Sequence, residues 1–285
     1  MLTWQVGAVR ITRVVEAEIP VPYNPDAPFI AEASPEALRP IDWLYPHYVD
    51  EKDRLRLSFH ALLVEAPGMR LVVDTCFGHG KHRNALGSED MMRPFLEDMA
   101  QAGWPPESVD AVICTHLHFD HVGWNTMLRD GQLVPTFPNA RYLFGRTEYQ
   151  HWMATGDEDQ QDVLSHSILP IFEAGLAELV DCDHSISPEI RLVPTRGHTP
   201  GHVSVVIESE GQCAVITGDM AHHPCQLAHP EWVTPFDSDN AAAIATRQSC
   251  FAEWAADQRL VIGTHFAAPT AGRVRQDGDG FRLIS

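Results

Sequence analysis

Thr115-His116-Leu117-His118-Phe119-Asp120-His121-Val122-Gly123 is the stretch on which the fold turns. Three histidines and an aspartate stand within six positions, directly after the apolar run of residues 109–114. On a strand such side chains alternate faces, and on a helix they spread around the axis, so neither brings all four onto one ion. A loop leaving a strand end does, wrapped around one or two metals. Residues 109–114 are therefore expected to be the strand that delivers this loop.

Three later motifs repeat the arrangement. Gly197-His198-Thr199-Pro200-Gly201-His202 follows a strand expected at 190–194, Gly218-Asp219 follows one at 213–217, and Gly263-Thr264-His265 closes one at 259–263. A lone histidine is more often structural, but four motifs in order, each at a strand end, point to one site. Imidazole and carboxylate suit zinc first, with iron, manganese or cobalt as alternatives. No cysteine stands among these residues, which argues against a structural thiolate site. Asp74 closes a strand expected at 70–74. It is either a turn aspartate or the acceptor for a ligand's free ring N–H. His202, four residues past His198, is expected to be structural.

His-x-His-x-Asp-His at 116–121, with the three later motifs behind it in order, resembles the signature of the metallo-β-lactamase superfamily. The resemblance implies an α/β fold, a four-layer αβ/βα sandwich of two mixed β-sheets flanked by helices. It implies that His116, His118 and His198 hold one divalent ion, that Asp120, His121 and His265 hold a second, and that Asp219 bridges them. It also favours Asp74 as the acceptor behind a ligand. Two such ions share a hydroxide at neutral pH and polarise a carbonyl or phosphoryl oxygen, with Asp120 orienting the nucleophile and passing a proton.

The β-lactamases proper carry a cysteine where this chain has Asp219, so the resemblance favours the dinuclear hydrolase branches. Acyl-homoserine-lactone lactonases carry a tyrosine three positions after the bridging aspartate; here that position is His222. The Asp-x-x-His pattern looks more like the methyl parathion hydrolases, as do Phe236-Asp237-Ser238-Asp239, Thr246-Arg247 and Gly263-Thr264-His265-Phe266. His222 is a candidate to bond a substrate oxygen or protonate a leaving group, or else to orient a metal ligand. Trp124, His223, Trp232 and Phe266 flank the motifs. They would line a pocket for a small uncharged ester, lactone or triester, or simply pack in the core.

Composition bounds the rest. The chain has 285 residues, 44% hydrophobic and 21% charged, as expected of a globular domain, and we take residues 1–285 as one. Its 20 Lys+Arg against 39 Asp+Glu give a formal charge of −19, a poor surface for nucleic acid. The N-terminus does not read as a signal peptide and no stretch is apolar enough for a membrane span. The six cysteines lack CxxC spacing, which reads as reduced thiols in the cytoplasm. The resemblance also implies a homodimer as an option.

Residues 20–57 hold seven prolines from Pro20 to Pro46, together with Tyr23, Phe29, Trp43, Tyr45 and Tyr48. They are expected to form a loop, packed on the flank or serving as a lid or interface. Helices are expected at 88–102, 147–155, 165–179 and 239–257, and the strand at 259–263 is expected to be the last in the core. The function expected is dinuclear metal-dependent hydrolysis of a lactone or ester, including phosphotriesters. The alternatives are a thioester hydrolase of the hydroxyacylglutathione hydrolase type, a one-iron sulfur dioxygenase, or a non-catalytic binding member of the fold.

Overall fold

The computed structural model describes residues 1–78, 93–155 and 158–285. The first sheet begins with β1 (Thr3–Val6), β2 (Val9–Val21), β3 (Leu55–Ala66), β4 (Met69–Val73) and β5 (Ala111–Cys114). β6 (Thr126–Arg129) and β7 (Gln132–Pro135) pair as a separate hairpin. β8 (Arg141–Gly145) and β9 (Ala177–Val180) complete the first sheet, in the order β1-β2-β3-β4-β5-β8-β9. The second sheet holds β10 (Ile190–Pro194), β11 (Val203–Ser209), β12 (Gln212–Ile216), β13 (Leu260–Ile262), β14 (Ala271–Asp277) and β15 (Gly280–Ile284), in chain order. Both sheets are mixed: β4, β5, β8 and β9 run parallel, as do β12 and β13, among antiparallel neighbours.

The period of two along the strands sorts residues into three main cores, with a smaller cluster of Ala17, Leu57, Phe59 and Phe77 beside them. Leu71, Val73, Ala111 and Ile113 of the first sheet face Val205, Ile207, Ile216 and Ile262 of the second, and this inter-sheet layer is buried. The alternate residues Val72, Val112, Tyr142 and Phe144 face outward onto α2 (Phe95–Gln101) and the helical segment that follows residue 158, through Phe95, Met99, Val163 and Ile171. On the far side, Val206, Val215 and Val261 meet Phe251 and Trp254 of α8 (Asn240–Asp257). The result is helix, sheet, sheet, helix: the four-layer sandwich.

Asp239 caps α8 by accepting from the Ala242 N–H at 3.0 Å. Residues 22–54 are loop with two short helical turns, α1 (Pro35–Leu38) and a 3-10 turn (Asp42–Leu44). Their Ile30, Leu38, Leu44 and Tyr48 are buried in the same cluster as α8.

Two expectations are corrected. The helix expected at 165–179 starts and ends earlier: the helical run from Glu158 closes with α6 (Leu169–Glu173) before a Gly175 with φ +72°, and Ala177–Val180 pairs with β8 as a strand. A left-handed glycine stops a helix, and the chain then joins the sheet. The strand near 259–263 is followed by β14 and β15, a hairpin turned by Gly278 with φ +61°. The hairpin of β6 and β7 turns on Asp130-Gly131, both at positive φ, a two-residue Asp-Gly loop that matches strand twist. Part of the helix expected at 88–102 lies outside the described residues. No described helix is long and apolar enough to cross a membrane, and all six cysteines are free thiols.

Candidate metal centre

The carboxyl ends of the central parallel strands converge at one edge of the sandwich, where open α/β sheets commonly place sites. β4 ends in Asp74, β5 leads into Thr115 and His116, β12 leads into Asp219, and β13 leads into His265. The loop after β5 tightens into one helical turn, α3 (Phe119–Val122), which carries Asp120 and His121. His118 stands just before it, in extended conformation.

Two donor groups match the expected ligands, His116, His118 and His198 in one and Asp120, His121, Asp219 and His265 in the other, and His222 forms a third grouping with His198 and Asp219. In the first, His116 Nε2 lies 3.0 Å from His118 Nδ1, and His198 Nε2 lies 2.9 and 3.2 Å from those two atoms. Three bare nitrogens with no proton to share would repel at such distances. Around a tetrahedral ion with metal–nitrogen bonds near 2.0–2.1 Å, ligand atoms stand about 3.3 Å apart, so the cluster fits a zinc-sized cation. Burial, and then the neighbouring histidines, hold these three imidazoles well below their ordinary pKa, in the neutral form a metal requires.

Asp219 links the groups. Its Oδ2 is 3.2 Å from His121 Nε2, 3.1 Å from His265 Nε2, and 3.9 and 3.7 Å from His116 and His198 Nε2. Asp120 Oδ2 is 3.6 Å from His121 Nε2 and 3.5 Å from His265 Nε2. Burial works against the Asp219 carboxylate, but His121, His265 and His222 outweigh it and hold its pKa well below the ordinary range. Burial also disfavours protonated His121, yet Asp219, Asp120 and Asp74 raise its pKa well above the usual value. Seven donors, with one carboxylate oxygen between two sets, fit a pair of divalent ions.

The far nitrogens of these rings are tied down. His121 Nδ1 donates to Asp74 Oδ2 at 2.9 Å, and the same carboxylate accepts the Thr115 N–H at 2.8 Å and its hydroxyl at 2.9 Å. His265 Nδ1 faces the Ser58 carbonyl at 3.3 Å, and His198 Nδ1 faces Asp237 Oδ1 at 3.1 Å. His202 accepts the Asp219 N–H on Nε2 at 2.8 Å, and burial pushes its pKa down to about 4.

The other singled-out residues are spread out. His222 joins the cluster: its Nε2 is 3.3 Å from Asp219 Oδ2, its ring is 4.7 Å from that of His198, and its buried Nδ1 has no hydrogen-bond partner. His223 bonds the Tyr48 carbonyl, Trp232 stacks on His229, and Phe266 packs with Tyr48. Trp124 donates its indole N–H to Glu16 and stacks on Phe95. These four are not brought together into one wall. The aromatics against the histidines are instead Phe29 on His222, Phe59 on His265 and Trp152 on His118, with Phe236 packed on Phe29.

Sequence reasoning also missed three buried carboxylates. Glu148 accepts from the Leu117 and Gly201 N–H groups and the Trp152 indole, stapling two ligand loops. Glu16 and Asp237 hold the loops behind Trp124 and His198. Asp237 lies in a motif of the resemblance that was given no role, and no spacing in the sequence links Glu16 or Glu148 to the site.

An N-acyl homoserine lactonase of a Bacillus species is 31% identical over 172 residues, 60% of this chain and 61% of that protein. The chain spans about half the length of the curated relatives it matches, from 46% to 61% for the first few. Among solved structures, a hydrolase of the beta lactamase superfamily named AbOPH superposes with a TM-score of 0.81 at 25% identity, covering 99% of this chain and 96% of that one. AidC, a dizinc quorum-quenching lactonase, superposes with a TM-score of 0.82 at 18% identity, with coverage of 99% and 96%. The family model for the metallo-beta-lactamase superfamily matches residues 57–265, most of the chain, and the protein belongs to that superfamily.

Proposed function

We propose that the protein is a metal-dependent hydrolase that opens a lactone or cleaves a related uncharged ester, phosphotriesters included, with two divalent ions, zinc first. The observation that carries this is the seven-donor cluster with the Asp219 carboxylate between its halves. When bound, the ions would lower the pKa of water and polarise the scissile oxygen. Named lactonase relatives in Bacillus support the lactone class.

The chain's own residues supply the rest. The Asp120 side chain is 14% exposed against 4% or less for His116, His121, His198, Asp219 and His265, so it is the carboxylate that water reaches. It takes the proton from water and hands it to the leaving oxygen. His222, whose Nε2 faces Asp219 Oδ2 at 3.3 Å, is the imidazole placed beside the donor cluster to bond a substrate oxygen. Phe29 and the half-exposed Phe236 form an apolar wall beside His222, suited to an alkyl or aryl group. Phe29 comes from the proline-rich segment, which accordingly serves as a wall of the pocket. The net charge of −19 leaves nucleic acid and anionic thioesters of glutathione poorly matched.

Metal analysis of the purified protein, with a panel of lactones, aryl esters, thioesters and phosphotriesters, tests the proposal. Two ions per chain with lactone or ester turnover, lost in Asp120→Asn at unchanged fold, are expected. One iron per chain with oxygen consumption would overturn it.

A further inference from the structure

α8 backs the first donor group, yet none of its residues belongs to the donor set. Thr246 Oγ1 donates to the Arg196 carbonyl at 2.6 Å, and just ahead of the helix the Ser238 and Asp239 N–H groups donate to the His198 and Gly197 carbonyls, both at 2.9 Å. Gly197 sits at φ +132°, and a Cβ there would overlap the Ala243 backbone, so the His198 turn lies flush on the helix.

Inside this contact lies a buried ion pair. Arg247 Nη1 is 3.3 Å from Asp237 Oδ2, with both side chains fully buried. The other oxygen of Asp237 faces His198 Nδ1 at 3.1 Å. The guanidinium also donates to three carbonyls: Pro230 at 2.9 Å, Trp232 at 3.0 Å and Met220 at 3.4 Å. Met220 directly follows Asp219. One side chain therefore spans the support of His198 and the turn that presents Asp219.

We infer that Arg247, acting through Asp237, is a positioning residue for the ion held by His116, His118 and His198, and that it ties the His198 and Asp219 turns into one unit. The inference rests on the two-ion reading above. An ionised carboxylate only accepts, so Asp237 requires the proton on His198 Nδ1 and leaves Nε2 bare toward the ion. A carboxylate this deep needs a cation beside it, and removing one partner leaves an uncompensated charge. Lysine would not substitute, because its single ammonium lacks the planar fork that reaches four acceptors at once.

The test uses the full chain, stripped of metal and reloaded with cobalt(II), whose visible absorption reports ligand geometry. Wild type, Asp237→Asn, Asp237→Ala and Arg247→Lys are compared for metal stoichiometry, for each ion's affinity in chelator competition, and for melting. Asp237→Ala should weaken one of the two ions about 10–100-fold, as loss of a ligand's supporting carboxylate does. The other ion should hold, and the cobalt spectrum should change. Arg247→Lys should weaken the same ion, and Asp237→Asn should do so least, because its amide oxygen can still face His198. If Arg247→Lys does not fold, the two Asp237 variants decide. Two ions bound with wild-type affinity and spectrum in Asp237→Ala would overturn the inference, as would equal weakening of both. A wild-type protein that takes up only one ion would instead refute the two-ion reading.

Discussion

Glu16 gives the sharpest test of how the loops behind the site are held. It sits at the bulge in β2, where the register with β3 shifts between Val15 and Ala17, and it is 1% exposed. Its carboxylate accepts the Phe77 N–H at 2.7 Å and the Trp124 indole N–H at 2.6 Å. Burial pushes its pKa up from 4.5 to about 7, although these hydrogen bonds oppose the rise. Between those two values the folded protein keeps a proton that the unfolded chain has lost. The sign follows: stability from this group is greatest at low pH, falls as pH rises, and is level once the folded group has ionised. The displacement corresponds to about 3 kcal/mol across the window.

Glu16→Gln removes the titration. It also turns an amide NH₂ toward a donor, a cost of about 1–3 kcal/mol that does not vary with pH. Urea unfolding of both proteins, stepped from about pH 4.5 to about pH 8, gives the difference in unfolding free energy. Other titrating groups and bound metals cancel to first order in that difference. The wild-type advantage over Glu16→Gln should shrink by about 3 kcal/mol as pH rises through the window, and then stay flat. A difference that is constant, or that grows with pH, would refute the assignment of a protonated, buried Glu16.

Asp74→Asn must place an amide group against one of three donors (the Thr115 N–H, its hydroxyl, or His121 Nδ1), so metal affinity should drop about 10–100-fold in a chelator titration. An unchanged affinity would remove Asp74 from the support of His121. Gly123→Ala would drive a Cβ into the Phe77 carbonyl just beyond the metal loop. Urea denaturation should show a loss of about 1–3 kcal/mol or more, and a neutral result would mean that residues 77–78 yield freely. His222→Phe should lower lactone turnover while both ions remain. Unchanged kcat and KM would leave His222 a purely structural neighbour of Asp219.

The strands and the motif turns were legible because each ligand follows an apolar run whose period of two is plain. Turn chemistry is legible too: Asp130-Gly131 and Gly175 both mark a break that the periodicity near them hides. Of the supporting carboxylates only Asp74, at a strand end, was legible. Glu16 reaches Trp124 across 108 positions and His198 reaches Asp237 across 39, distances that only the docking of separate elements closes. The aromatics that stand against the histidines were hidden for a related reason. Proximity in sequence to a ligand placed Phe266 and His223 behind the site, against Tyr48. Phe29, far away in the chain, stands on His222.

The site is a property of the sandwich and of neither sheet alone. Asp74, His116, His118, Asp120 and His121 hang from the first sheet, and His198, Asp219 and His265 from the second. Direct bonds fasten the halves at the site itself: the Val203 N–H donates to the Thr115 carbonyl and the Ser58 N–H to the His265 carbonyl, both at 3.0 Å. Behind them Ile216 and Ile262, fully buried in the inter-sheet core, directly precede the Asp219 and His265 turns. A close-packed interior transmits a change of one methylene as a shift of its neighbours. The spacing between the two donor sets is therefore fixed by apolar packing several residues away from any donor. Substitutions in that core would act on the chemistry through the gap between the halves, and metal bound by donors from both sheets would in turn stabilise their docking.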